Sequence, residues 1–320
     1  MKIKAILLSL VIITLASSCS AQQSGLQNAP LRIEYTQWWG DYTLIVAQEA
    51  GFFEKHNVQV EPVYYDVFSK APPELAAGYV DAGLFAIGDV INLSPYAPLK
   101  VVAIYDLGGT NDLVATRPIK SVADLRDKPI GVTLGTPYEL YVLEMLKAAG
   151  MQSSDVRMIN VDPEDVPAAL GNNIQAGYVW EPYKTQALAI DGNHILASSE
   201  QISGLFPDVI VFRESVLQER PEDVKAFLRA WFEAVEYRNE NPGKANEMIA
   251  RVLKLPISEV SGNARILTLE ESLALLSNTP PQGMRPLLDT AKLNAEFLLR
   301  IGTISSLPDY EAIFTNEFLK

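Results

Sequence analysis

The stretch IGVTLGTPYELYVLEMLKAAG, residues 130–150, changes its hydrophobic period halfway along. Ile130 to Leu134 is short and β-rich, the pattern of a strand. Thr136, Pro137 and Glu139 then stand as N-cap, first and third helical residues, a capping box ahead of Leu140, Leu143 and Leu146 at helical spacing and a closing Gly150. Val156 to Val161 reads as the next strand. Strand, helix, strand with this spacing is a βαβ unit, whose strands run parallel under a covering helix.

The same alternation extends both ways. Leu31–Tyr35, Val58–Tyr65, Val101–Tyr105, Tyr178–Trp180 and Val209–Phe212 read as strands, and Asp162-Pro163-Glu164-Asp165 opens a shorter helix closed by Gly171. From Pro221, the residues Val224, Phe227, Leu228, Trp231 and Val235 recur at helical spacing until Asn241-Pro242-Gly243. Pro221 to Lys320 shows no convincing strand and reads as a helical cap, with a second capping box at Thr268 and Glu271. The expected class is α/β with largely parallel sheets. Strands near Leu113–Thr116 and Val209–Phe212 bracket a segment with its own βα pattern, so the chain leaves one lobe and returns to it. This predicts a lobe of residues 31–112 and 210–320, a second lobe of residues 113–209, and a cleft between them. Ligands of open α/β sheets settle at the carboxyl ends of strands, where such a cleft lies.

Composition narrows the function. The 320 residues carry 26 Lys and Arg against 39 Asp and Glu, a net charge of −13, which opposes phosphate backbones and excludes a nucleic-acid role. One cysteine and two histidines exclude a disulfide framework, Cys-rich zinc modules and a paired thiol centre, so no metal and no cofactor is expected. His56 and His194 are expected at a helix end and in a loop, facing solvent. Residues 1–18 form a signal-peptide pattern: Lys2 and Lys4, an apolar Ala5–Ile13 too short to span a bilayer, then Ala16, Ser17 and Ser18. Small residues before Cys19 resemble the lipobox of bacterial lipoproteins, although Ala16 stands where Leu is usual; plain secretion with an incidental cysteine is the alternative. Cleavage leaves 24 basic residues against 39 acids, a net charge of −15. Residues 19–30 then form a polar, lipid-anchored tether, and with no later run of 18 apolar residues the body is expected to stand in water outside the cytoplasm.

Four passages carry a family resemblance: Ile33 to Phe53, with Trp38-Trp39-Gly40 and Ala47-Gln48-Glu49-Ala50-Gly51-Phe52-Phe53; Gly78-Tyr79-Val80-Asp81-Ala82-Gly83 with the Phe85–Asp89 loop; Ile119 to Val132 leading into Gly135-Thr136; and Ala169 to Pro182, closing in Trp180-Glu181-Pro182. In this order over residues 31–320 they resemble the ABC-transporter substrate-binding proteins for nitrate, sulfonates, taurine and thiamine pyrimidine precursors. The resemblance implies a type 2 periplasmic-binding-protein fold, capture of a small molecule by lobe closure, and delivery to an ABC permease; the protein is expected to be a monomer, tethered to the membrane through Cys19. No Gly-x-x-x-x-Gly-Lys-Ser/Thr loop is present, so a separate ATPase must power transport.

Candidate ligand contacts come from the strand ends and turns that the resemblance places on the cleft. Trp38 and Trp39 sit after the first strand, one expected in the cleft and the other in the core, with the choice open. Phe85 and Ala86 are expected to line the pocket, while Asp89 either contacts ligand or caps a helix beginning at Val90. Gly135 and Thr136 offer NH groups and a hydroxyl at a helix start, beside Tyr138, although Thr136 and Glu139 also satisfy each other as a capping box. Trp180 and Glu181 contact ligand or form a strut between lobes, and Asp208 is a hinge cap or a ligand group. This set contains acids and no Lys or Arg, so it disfavours nitrate and simple sulfonates and favours an amine or nitrogen heterocycle.

Rival classes lack their residues. A thiamine-pyrimidine-synthase-like enzyme, of related fold, needs a cysteine-rich run and an essential histidine, and a serine hydrolase needs a Gly-x-Ser-x-Gly elbow; the sequence has neither. A structural or adhesive lipoprotein remains as a third class, one without a closed ligand site.

Overall fold

The computed structural model describes residues 29–108, 111–199, 206–260, 265–280 and 285–320. The chain divides into Met1–Pro30 and a body, Leu31–Lys320; the signal-peptide pattern of residues 1–18 and Cys19 lie outside the described residues. Among the described residues no helix is long and apolar enough to cross a membrane.

The body holds two five-stranded sheets. The first joins β1 (Leu31–Tyr35), β2 (Val60–Tyr64), β3 (Ala82–Ala86), β4 (Leu99–Asp106) and β10 (Asp208–Arg213) in the order β2-β1-β3-β10-β4. The second joins β5 (Asp112–Ala115), β6 (Pro129–Val132), β7 (Arg157–Asn160), β8 (Ala176–Val179) and β9 (His194–Ser198) in the order β7-β6-β8-β5-β9. Each is mixed: β10 runs antiparallel to β3 and β4, and β5 antiparallel to β8 and β9. A strand that arrives from the other sheet enters against the grain, which the reading of largely parallel sheets leaves out. The inner strands β1, β3, β5, β6, β8 and β10, and β4, are largely apolar and buried, as sheets covered by helices require, whereas the edge strands β2, β7 and β9 are mostly half-buried or exposed.

Two strands escape the sequence pattern. β3, AGLFA, is fully buried and rich in small residues of low strand propensity. β9 starts at His194, which is therefore half-buried in a strand rather than in a loop. His56 is not free either: its Nε2 lies 2.8 Å from Oε2 of Glu233.

The Pro137–Ala148 helix begins as the sequence predicts, with a different exchange of hydrogen bonds. The Thr136 hydroxyl accepts from the Tyr138 N–H at 3.3 Å, while Glu139 accepts from the Gly135 N–H at 2.8 Å, one residue outside the expected box. Thr268 and Glu271 form theirs as expected. The long helix Pro221–Glu240 buries Phe227, Leu228, Trp231 and Val235, and the C-terminal portion beyond it is helical. Between the sheets, the outgoing connection presses on the returning one: Gly108 has φ 71°, and a Cβ there would lie 2.2 Å from the Phe206 carbonyl oxygen. Only glycine fits both demands.

Candidate functional site

The carboxyl ends of strands from both sheets converge on one cleft. Thr36, Trp38 and Asp41 reach it from the turn after β1, Phe68 from the turn after β2, Leu84, Phe85 and Ala86 from β3, and Tyr105 from β4. The opposite wall holds Asn111, Tyr138 and Trp180, and Asp208 lies at the start of β10. The space between them is about 380 Å³, counting its mouth toward solvent.

Its lining is aromatic. Phe68 meets Phe85, Tyr138 and Trp180 edge-on, with ring centroids 6.3, 5.7 and 5.8 Å apart. Tyr138 and Trp180 lie 5.2 Å apart, and Tyr178 stacks behind Tyr138 at 5.0 Å. Faces of such rings carry partial negative charge and attract cations and the edges of planar rings.

Among the rings are carboxylates. Asp41 accepts from the Tyr105 hydroxyl at 2.7 Å and from the Thr36 N–H and hydroxyl at 3.0 and 3.1 Å. Burial nevertheless lifts its carboxyl to about 7 against these hydrogen bonds. Burial also drives Asp208 well above its usual range, and the charges of Asp106, Asp41 and Asp89 add to the effect. The Trp38 indole N–H faces Asp208 without closing a hydrogen bond. No Lys or Arg stands among the lining residues.

Of the sequence candidates, Trp38, Phe85, Ala86, Tyr138, Trp180 and Asp208 line the cleft. Trp39 does not: its ring lies under the Arg238 guanidinium at 4.1 Å, and its carbonyl accepts from Arg238 at 3.1 Å. Asp89 is no cap of a helix at Val90, because the helix Ile87–Leu93 starts earlier. It sits in the first turn, buried, and accepts from the Tyr138 hydroxyl at 3.2 Å; burial lifts it to about 7. Gly135 and Thr136 stand outside the lining, the Thr136 hydroxyl donating to the Thr133 carbonyl at 2.6 Å. Glu181 also stands outside. It accepts from the Thr185 N–H and hydroxyl at 3.2 and 2.7 Å, fastening the start of the helix Tyr183–Leu188, and pairs with Lys184 at 3.3 Å. Asp208 is the first residue of β10, partly buried, not a cap before it.

The sequence reading does not single out Thr36, Asp41, Phe68, Leu84, Tyr105 or Asn111. Tyr105 is the last residue of a predicted strand, and Asp41 lies six residues beyond the end of another, in the loop that holds Trp38 and Trp39. Phe68 follows Tyr64-Tyr65-Asp66-Val67 without a motif, and only the fold carries its ring to Tyr138 and Trp180.

The fold is that of periplasmic binding proteins. By structure the chain is similar to the periplasmic aliphatic sulphonate binding protein of Escherichia coli, with a TM-score of 0.72 at 18% identity over 88% of this chain and 90% of that one. By sequence, residues 41–245 match the NMT1/THI5 like family model, and the chain belongs to that family. It is 31% identical to a candidate binding protein of Brucella abortus (strain 2308) over 78% of this chain and 80% of that protein. It is 28% identical to the taurine-binding periplasmic protein of Escherichia coli (strain K12) over 86% of this chain and 88% of that protein.

Proposed function

We propose that the chain is the extracytoplasmic solute-binding protein of an ABC importer, and that it captures a small amine or nitrogen heterocycle, favoured in cationic form. The cleft carries this reading: Trp38, Phe68, Phe85, Tyr138 and Trp180 around Asp41 and Asp208, with no basic residue in the lining. An indole or phenol face stacks on a planar or cationic group, and a carboxylate accepts its N–H bonds. The solute is held by closure of the two lobes, 31–112 with 210–320 and 113–209, and passed unchanged to a permease driven by a separate ATPase. Cys19 carries the lipid that tethers the monomer to a membrane. Similarity to taurine- and sulphonate-binding proteins supports a second reading, an aminosulfonate or sulfonate ligand. Asn111 is the one side-chain amide in the lining, and an anion beside Asp41 and Asp208 meets repulsion wherever either is ionised, with no Lys or Arg in the lining to offset it.

The test is mass spectrometry of small molecules released from the purified protein, followed by thermal shift with amines, nitrogen heterocycles, taurine, alkanesulfonates and nitrate. A ligand at about 100 times its Kd adds roughly 2.7 kcal/mol of stability. A released amine or heterocycle that raises Tm supports the reading; a sulfonate or nitrate overturns it in favour of the second, and a chemically altered product at catalytic stoichiometry overturns binding without turnover. Cys19→Ser should release the protein from membranes, and a variant that stays with them ends the lipid-anchor reading.

A further inference from the structure

Two carboxylates, Asp41 and Asp208, stand in the lining of the cleft, and a third, Asp106, is buried behind it. Asp208, opening β10, is the register partner of Asp106 on β4. Asp41 meets the same strand through Tyr105. Asp106 accepts from the Gly108 N–H at 2.5 Å with one oxygen and has no partner for the other, although fully buried. Around them stand further acids, Glu34 on β1 and Asp89 on the Ile87–Leu93 helix, and the hydroxyls of Tyr42, Tyr105, Tyr138 and Tyr178. The cation that answers this group is Arg238, and it directs its donors to the carbonyls of Trp39 and Gly40 and to the Thr43 hydroxyl rather than to any carboxylate. With all three acids ionised, one arginine would leave two negative charges uncompensated, with Asp41 and Asp106 almost wholly shut off from water and Asp208 partly so, and crowded like charges relieve this by holding protons.

We infer that the cleft exchanges a proton for its ligand: the empty site keeps a proton among Asp41, Asp106 and Asp208, and an organic cation entering the aromatic box displaces it to solvent, one positive charge leaving as one arrives. This rests on the cleft being the site of a cationic ligand. Burial, acting first, raises all three carboxyls, and at Asp208 the neighbouring charges raise it further. Protons and ligand then compete for the same oxygens, so affinity falls as pH falls, and an acidified surface releases what a neutral one holds.

The experiment needs no natural ligand. The full chain, labelled with ¹³C at aspartate carboxyl carbons, is titrated by NMR from about pH 4 to 9, with Asp41→Asn, Asp106→Asn and Asp208→Asn identifying the signals. The titration is repeated in guanidinium, tetramethylammonium and N-methylpyridinium chloride, with sodium chloride as the ionic-strength control. Expected are coupled steps with one midpoint above about pH 6, simplified in Asp208→Asn, and lowered by about one pH unit in at least one organic salt relative to sodium. Three carboxyls that deprotonate below about pH 5 leave no proton to exchange, and a midpoint unmoved in all three salts rules out displacement. Should Asp106→Asn fail to fold, Asp41→Asn and Asp208→Asn report the same coupling. A released ligand that proves anionic overturns the ligand class, whereas a cationic one with an unmoved midpoint overturns the exchange alone.

Discussion

The Arg238 guanidinium lies 4.1 Å above the ring of Trp39 and donates to the Trp39 carbonyl, while the neighbouring Trp38 turns the other way and lines the cleft. The two adjacent indoles therefore serve different surroundings: Trp38 is buried in the wall of the cleft, and Trp39 is half-buried beneath the Arg238 guanidinium. Burial draws the Arg238 pKa down to about 9, and the nearby Tyr42, Asp106 and Asp41 oppose the fall.

Substitution separates the two tryptophans. Trp38→Leu should weaken ligand binding about tenfold, as loss of a stacked ring costs roughly 0.5–1.5 kcal/mol beyond its area, and should also lower the Tm of the empty protein, because the ring is only 7% exposed and its truncation leaves a cavity. Trp39→Leu should cost stability alone: removing the ring beneath a buried cation costs about 2 kcal/mol and leaves the Kd within about twofold. Calorimetric titration and thermal melts of both variants check this, and equal loss of affinity in both would place Trp39 in the site.

The buried carboxyls predict how stability depends on pH. Asp41 and Asp89, each raised to about 7, bind protons in the folded state that the unfolded chain has already lost. Between about pH 4 and 7 the folded state is the more protonated, so stability falls as pH rises, by up to about 1.4 kcal/mol per pH unit for each group. The ligand-free protein should therefore melt higher near pH 5 than near pH 7.5. Below about pH 4 the trend reverses, because Arg32 and Arg213 hold Asp81 below its usual value despite its burial, and that contribution is lost on protonation. Asp41→Asn and Asp89→Asn should each flatten the slope above pH 5. A slope unaltered in both variants would assign the dependence to other groups.

Glu181→Ala tests the residue that the sequence makes attractive and the fold turns away. Its oxygens are taken up by Thr185 and Lys184. The variant should lose about 0.5–2 kcal/mol, as helix-cap removals do, and bind ligand with an unchanged Kd. A loss of affinity of about tenfold or more without a change in Tm would return Glu181 to the cleft.

The α/β class was legible because helix starts and strand runs are local signals: Thr136-Pro137, Thr268 to Glu271 and the Val224–Val235 spacing each lie within a dozen residues. β3 was not, since AGLFA is short and mostly Ala and Gly, which favour strands little, and it becomes a strand where β1 and β10 flank it. Within the site, residues at predicted strand ends, such as Trp38, Trp180 and Asp208, could be located. Phe68 could not, because its importance lies in rings more than fifty residues away in sequence. Glu181 failed for the opposite reason: a carboxylate four residues before Thr185 has a local partner that competes with any ligand.

Gly88 is the place where closure can be tested by one methyl group. It lies in the Ile87–Leu93 helix beside the first sheet, and a Cβ there would stand 2.2 Å from Pro137 Cγ and 2.5 Å from Asn294 Oδ1. Pro137 is rigid and leads directly into Tyr138, whose hydroxyl bonds Asp89, the neighbour of Gly88. An added methyl must therefore push the Tyr138 wall of the cleft away from the Phe85 wall. Gly88→Ala should lower ligand affinity at least tenfold, with an overpacking cost of about 1–3 kcal/mol in the closed form and a smaller one in an open form. Small-angle scattering should show a radius of gyration that contracts less on ligand addition than in the wild type. Gly243→Ala is the control: no atom lies within 4 Å of its Cβ position, and alanine in that helix should stabilise by up to about 1 kcal/mol without touching affinity. If Gly88→Ala loses stability but binds and contracts as the wild type does, the Gly88 contact belongs to packing alone and the lobes close about some other point.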